Sequence, residues 1–350
     1  MTHEIKISNT TVGSKHPMFI IAEVGLAHDG SLGAAHSYIE KLSTVGVNAV
    51  KFQTHLADAE SSKYENFRVN VFPQDETRRE YWKRTAFSKQ QWKELAEHAR
   101  ELGLIFMSSP FSKEAVDILL ECEIPAWKVA SGEIQNLPLL KYMANTGLPI
   151  LLSSGMSTWE ELNTTTSMLG ELGAEVAIFQ CTTSYPCPPK EWGLNVISEM
   201  IEAYDCPIGL SDHSGTIFPS LAAKILGASM IECHVVFDRA QFGPDSKASL
   251  TFEGFEMLVN GIRALEIAER SPVDKDKFSQ KSLVNKNLFS KGLFAAHDLV
   301  AGVVIGENDL NLHKPLMGIP ASEYEIVIGG RLNQDLKAGE PFPLGSVNQD

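Results

Sequence analysis

The chain is 350 residues long and 43% hydrophobic, which is enough apolar material for a sizeable core and points to one large domain with a smaller companion. Its 30 basic residues against 44 acidic ones give a net charge of −14, which argues against nonspecific binding to nucleic acid or to anionic membranes and means that an anionic substrate needs a locally positive site. Five scattered cysteines argue against a disulfide framework, and without a signal-like start or an apolar run of spanning length the expected location is cytoplasmic.

Short β-rich apolar runs recur in chain order: FIIAEVG (19–25), AVKFQT (49–54), IFMSSP (105–110), AWKVAS (126–131), ILLSSG (150–155), VAIFQC (176–181), IGLSDH (208–213) and IECHVVF (231–237). Between them lie stretches such as LGAAHSYIEKLSTVG, KQQWKELAEHARELG and WEELNTTTSMLGELG, with apolar residues at helical spacing and a glycine stop. Eight β/α alternations predict an α/β chain built as a closed parallel (β/α)8 TIM barrel. The rival, a doubly wound open sheet binding a dinucleotide, lacks its glycine fingerprint. Residues 55–87 form a long second connection, expected as a lid or an interface. The eighth helix ends near Arg270, residues 271–281 read as a polar linker, and residues 282–350 take on the texture of a small β-rich domain.

In such barrels the chemistry gathers where the strands end. Lys51 and Lys128 lie inside apolar strands, where an unpaired ammonium is costly, so each is expected to face an anion, with Ser-bearing strand ends beside them. The alternatives are structural pairing with Glu23 or Glu133, or a Schiff-base role. His213 and His234 end neighbouring strands and are expected to converge on a divalent ion, with Glu23 at the adjoining strand and a carboxylate or waters completing an open site. Glu133, on the turn ASGE, is a candidate general acid or base.

The strings IAEVGLAHDGSL, VKFQTH, SSPFS, WKVASGE, LSSGMST, QCTTSYP, GLSDHSGT, and ECHVVFD with GPDSKASL resemble, in order, the motifs of the N-acetylneuraminate (sialic acid) synthase family, which includes makers of legionaminic-type nonulosonic acids. The tail from 282 to 345 resembles that family's antifreeze-like, or SAF, domain. The resemblance implies condensation of phosphoenolpyruvate with an N-acylated mannosamine-type sugar in its open aldehyde form, with release of phosphate by C–O cleavage. It further implies phosphoenolpyruvate binding by Lys51, Lys128, Ser131, Ser153 and Ser211 with help from Ser109. Gln53, Tyr185 and Asp245 would orient the acceptor, Glu23 would contact the sugar or the water around the metal, and Glu133 would be the acid/base group. His213 and His234 would hold the metal, manganese by expectation, with magnesium or another ion as the alternative. A domain-swapped homodimer is also implied, in which position 314 reaches the partner's substrate.

Three positions depart from the family pattern: Ala27 where many relatives have Asn, Thr183 where some have Asn, and Lys314 where Arg is common. Lysine keeps the charge at 314 but loses the planar fork, so a 2,4-diacetamido-trideoxy sugar is a credible acceptor. Rival readings are another phosphoenolpyruvate-dependent 3-deoxy-sugar acid synthase, which would need an Arg-rich phosphosugar site, and a sugar-binding homologue without catalysis. The joint presence of Glu23, Lys51, Lys128, Glu133, His213 and His234 argues against the second.

Overall fold

A computed structural model describes residues 4–69 and 74–349. The chain forms two compact units, Met1–Arg270 and Ser271–Asp350. The first carries eight strands: Phe19–Gly25 (β1), Ala49–Thr54 (β2), Ile105–Pro110 (β3), Trp127–Val129 (β4), Ile150–Ser153 (β5), Val176–Cys181 (β6), Ile208–Asp212 (β7) and Met230–His234 (β8). They pair in parallel in the order β3-β2-β1-β8-β7-β6-β5-β4. The predicted barrel is therefore present. A ladder joins the first and eighth strands and sets His234 opposite Glu23. The seam falls instead between β3 and β4, which pack side by side without a ladder among the described residues. β4 is three residues long because Ser131, expected within the strand, already begins a tight turn over Ser131–Glu133.

Side chains alternate along each strand between the barrel axis and the surrounding helices. One parity supplies Phe19, Ile21, Ala49, Met107, Ala126, Leu151, Ala177, Phe179 and Met230, which fill the lower barrel. A hairpin of Ile5–Ile7 with Thr10–Val12 contributes Ile5, Ile7 and Val12 to the same cluster. The opposite parity, including Ile20, Val50, Phe106, Trp127, Leu152 and Ile178, packs against the helices. Two residues further along the inward parity stand Glu23, Lys51, Ser109, Lys128, Ser153, Cys181, Ser211 and Glu232. An apolar floor thus carries a polar rim at the carboxyl ends of the strands.

The helical stretches form Leu32–Ser43, Lys89–Glu101 and Trp159–Glu171, each opened by a Ser or Thr side chain that accepts a backbone N–H. The eighth helix spans Phe252–Arg270. The long second connection contains the short helices Ala57–Glu60 and Arg78–Thr85, while its residues 70–73 lie outside the described residues. Among the described residues no helix is long and apolar enough to cross a membrane.

The second unit contains two small antiparallel pairs, Gly292–Ala295 with Leu310–His313 and Arg331–Leu332 with Val347–Asn348, around a core that includes Leu293, Ile305, Leu332 and Phe342. It differs from expectation at its start. A helix, Lys275–Lys281, occupies the stretch read as linker, and another, Leu283–Phe289, stands where strands were expected. Asp274 accepts the backbone N–H groups of Asp276 and Lys277 and so nucleates the first; at seven residues each, these helices are too short for apolar periodicity to reveal them.

Because the hairpin closes the end of the barrel remote from the polar rim, Ile7→Ala is expected to destabilise the first unit by about 2–5 kcal/mol. The circular dichroism spectrum should be retained; denaturant midpoints and circular dichroism measured on the same preparation check both.

Candidate active site

Twelve of the residues singled out from the sequence line one cavity of about 160 Å³ at the polar rim: Glu23, Lys51, Gln53, Ser109, Lys128, Ser131, Ser153, Thr183, Tyr185, Ser211, His213 and His234. Each reaches it because it ends an inward-facing column or follows that column into the loop.

The centre of the cavity is a line of alternating charge. Lys51 is ion-paired with Glu23 and lies 3.7 Å from Glu232 Oε2, while Lys128 Nζ lies 3.2 Å from Glu232 Oε1. All four side chains are buried, the most exposed at 4%. Lys128 also donates to Ser153 Oγ at 2.6 Å, and Ser211 Oγ donates to Glu232 Oε1 at 3.1 Å. Two ammonium groups and two carboxylates sum to zero, which is how so much charge survives out of water. Glu232 was not singled out from the sequence. Its signal was parity: it lies two residues before His234, on the same face of the same strand.

Burial alone would lower Lys51, but the Glu23 and Glu232 carboxylates outweigh it and hold the ammonium above its usual value. Lys128 is lowered by burial, which Glu232 only partly offsets, and then by the like charge of Lys51. Burial raises Glu23 despite Lys51. At Glu232 burial acts upward too, yet Lys128 and Lys51 together hold this carboxylate well below the ordinary range. Lys51 is the firmly charged cation and Lys128 the softer one.

On the other side of the cavity stand the imidazoles of His213 and His234, with ring centroids 5.4 Å apart. His213 Nδ1 meets the Thr182 carbonyl at 2.9 Å; since a carbonyl only accepts, Nδ1 carries the proton and Nε2 keeps its lone pair. Burial pushes the His213 imidazolium down to about 3, so the ring is neutral at ordinary pH. Tyr185 stacks on His213 with centroids 4.0 Å apart. A neutral imidazole oriented by a carbonyl on its other nitrogen is the donor a divalent ion requires. Among the described residues no group of three or more His, Cys, Asp or Glu is placed to share one ion, so the two imidazoles fit an open site whose remaining positions go to water or substrate oxygen. Glu23 is occupied by Lys51 and by Gln53 Nε2, which donates to its Oε1 at 3.0 Å.

The serine side is shaped by a missing side chain. Ser131 Oγ accepts the Gly155 N–H at 3.1 Å, and a Cβ at position 155 would fall 2.6 Å from Thr183 Oγ1 and 2.8 Å from Ser131 Oγ. Only glycine leaves that cradle open.

Three expected residues lie elsewhere. Glu133 is half-buried on its turn, accepts from Asn136 Nδ2 at 2.7 Å and pairs with neither lysine; burial raises its carboxyl. Asp245 lines a second cavity of about 200 Å³, which shares Gln53, Thr183, Tyr185 and His234 with the first. Lys314 belongs to the second unit, where it is exposed and lies 5.8 Å above the Phe289 ring. His28 and Asp212, also polar strand-end residues, are buried for structural reasons, His28 against Phe52 and Phe87 and Asp212 accepting from Ser214 and Ser220.

Comparison with known proteins brings this geometry into a lineage. The model of the NeuB family matches residues 38–273. The chain belongs to the NeuB family. A SAF domain model matches residues 290–347. The chain is 34% identical over 327 residues to the N,N'-diacetyllegionaminic acid synthase of Campylobacter jejuni, covering 92% of this chain and 97% of that relative. It is 35% identical over 270 residues to the N-acetylneuraminate-9-phosphate synthase of Mus musculus, covering 75% of this chain and 74% of that one. Among solved structures, the N-acetylneuraminic acid (sialic acid) synthetase of Leptospira borgpetersenii in complex with citrate matches with a TM-score of 0.70 and 28% identity, over 83% of this chain and 98% of that one.

In this NeuB-family chain, Glu232→Gln removes the anion shared by both lysines and is expected to cost about 3–5 kcal/mol at neutral pH. A depressed carboxylate contributes stability that is present above its unfolded value, 4.5, and is lost as pH falls through its lower folded value. The gap between wild type and variant should therefore narrow below that pH; urea titrations across the acid range check it.

Proposed function

We propose that the chain condenses phosphoenolpyruvate with the aldehyde of an N-acylated mannosamine-type sugar, giving a nonulosonic acid and inorganic phosphate. The observation that carries this reading is the buried line Glu23–Lys51–Glu232–Lys128 sharing one cavity with the imidazoles of His213 and His234. A small trianion suits the lysine side, where Ser109, Ser131, Ser153 and Ser211 add hydroxyl donors. Lys51 would hold its charge throughout, while Lys128, already depressed, would respond most to an arriving anion. Carbon–carbon bond formation joins C3 of phosphoenolpyruvate to the aldehyde carbon, whose oxygen gains a proton. Water adds to C2, and the C2–O bond breaks to release phosphate.

His213 and His234 would hold a divalent ion, manganese being our choice from the family resemblance and magnesium the alternative. When bound, such an ion supplies Lewis acidity to a carbonyl oxygen and orients water. The chain's own part is to fix both reactants: an oriented pair can lower the barrier by roughly 7–11 kcal/mol. Gln53, Thr183 and Tyr185, shared by both cavities, would position the acceptor between them, and Asp245 would do so from the second cavity. Glu133, whose carboxyl is raised by burial, is kept as acid/base group, acting from its turn beside Ser131.

We further propose a cytoplasmic enzyme, supported by five free cysteines, and a domain-swapped homodimer that brings Lys314 to the partner's acceptor. Support for the dimer comes from the helices opening the second unit, where Phe278, Leu283, Val284, Leu288 and Phe289 are exposed and want a cover.

The direct test is phosphate release from phosphoenolpyruvate with manganese and a panel of mannosamine derivatives, with mass spectrometry of the product; no release with any aldehyde acceptor sinks the proposal. His234→Ala should lower turnover about 100-fold or more and weaken manganese binding while leaving the circular dichroism spectrum unchanged. Undiminished manganese affinity would remove His234 from the site. Light scattering should give twice the chain mass, and a fully active monomer would contradict the swapped arrangement.

A further inference from the structure

The second cavity has a wall unlike that of the first. Trp82 stacks on His55 with centroids 3.8 Å apart and planes within 9°, and His55 stacks in turn on Phe111 at 4.1 Å and 13°. Leu26 and Phe67 extend this apolar surface. Two cations reach the cavity, and both are engaged. Arg68 pairs with Asp245 at 2.5 Å and lies 4.1 Å above the Tyr185 ring. Arg78 pairs with Glu65 at 3.3 Å and lies 4.8 Å above Trp82. Among the described residues lining this cavity, every Lys or Arg therefore has a carboxylate partner.

We infer that this aromatic cavity receives the end of the acceptor remote from its aldehyde, and that it selects an uncharged end bearing apolar substituents over a phosphorylated one. The inference rests on the condensation reading, which sets the aldehyde beside His234 and Gln53, two of the four residues the cavities share. A terminal phosphate would bring about two negative charges against aromatic walls. To meet them, Arg68 would have to leave Asp245, stranding a carboxylate next to the incoming anion. A terminal methyl or the methyl of an N-acyl group loses water against Trp82 and Phe111 instead, and sugar C–H faces pack on such rings. Overall similarity does not decide the matter, since the relative named for a 9-phosphate product and the one named for a diacetylated product are 35% and 34% identical to this chain. The cavity wall does.

The experiment uses the full chain with phosphoenolpyruvate, manganese and three acceptors: N-acetylmannosamine, its 6-phosphate and 2,4-diacetamido-2,4,6-trideoxymannose. The trideoxy sugar should show kcat/KM about ten-fold or more above the 6-phosphate. Trp82→Ala should raise the KM for that sugar by a similar factor of about ten while leaving the KM for phosphoenolpyruvate nearly unchanged. Phe67→Ala, at a half-buried position, carries the same expectation should the tryptophan variant fail to fold. Equal or better use of the 6-phosphate overturns the inference and leaves the condensation standing. Calorimetric titration of each sugar separates the remaining case: binding of the trideoxy sugar in preference to the 6-phosphate without phosphate release upholds the cavity's selectivity and removes the condensation. Absence of binding by all three overturns the cavity assignment.

Discussion

Two ammonium groups and two carboxylates, interleaved above the apolar floor of the barrel, set the terms for everything else in the first unit. A single buried charge of either sign would cost several kcal/mol, and breaking such an arrangement by removing one partner costs about as much again. Lys51 and Lys128 can stand at the mouth of the barrel only because Glu23 and Glu232 stand with them. The same neutrality explains how both cations persist out of water in a chain of net charge −14: each is balanced by a carboxylate within the cluster itself.

That arrangement also divides labour between the lysines. Lys51 is gripped by two carboxylates, whereas Lys128 has one carboxylate, a serine hydroxyl and the repulsion of its neighbour. Across the cavity, His213 is held neutral by burial and oriented by the Thr182 carbonyl. The paired lysines and the two imidazoles thus line one cavity, and an aromatic annex that shares Tyr185 with it lies alongside.

Much of this was legible in the sequence because period-two alternation and strand ends are local signals. The eight apolar runs place β1, β2, β3 and β6 at their observed bounds, and twelve residues picked at or near strand ends meet in one cavity. Glu232 escaped because attention to strand termini passes over a polar residue one step deeper, where burial among like-facing cations is a three-dimensional fact. Glu133 illustrates the converse: a turn beside the strand end carries its carboxylate to Asn136 and away from both lysines. Arg68 was invisible as a cavity residue, since only the fold brings the long connection over to Asp245. The short helices at 275–281 and 283–289 were missed because seven residues make two turns, too few to show a period.

The unladdered seam between β3 and β4 has a mechanical corollary. Among the described residues Lys128 rides on a three-residue strand whose one ladder is with β5, while Lys51 rides on β2, whose neighbour β3 forms the other lip of the slit. Widening or narrowing that slit changes the spacing of the two cations without breaking a backbone hydrogen bond between strands. The slit is accordingly the line of least resistance in the barrel, since the remaining seven strand junctions are tied by their ladders.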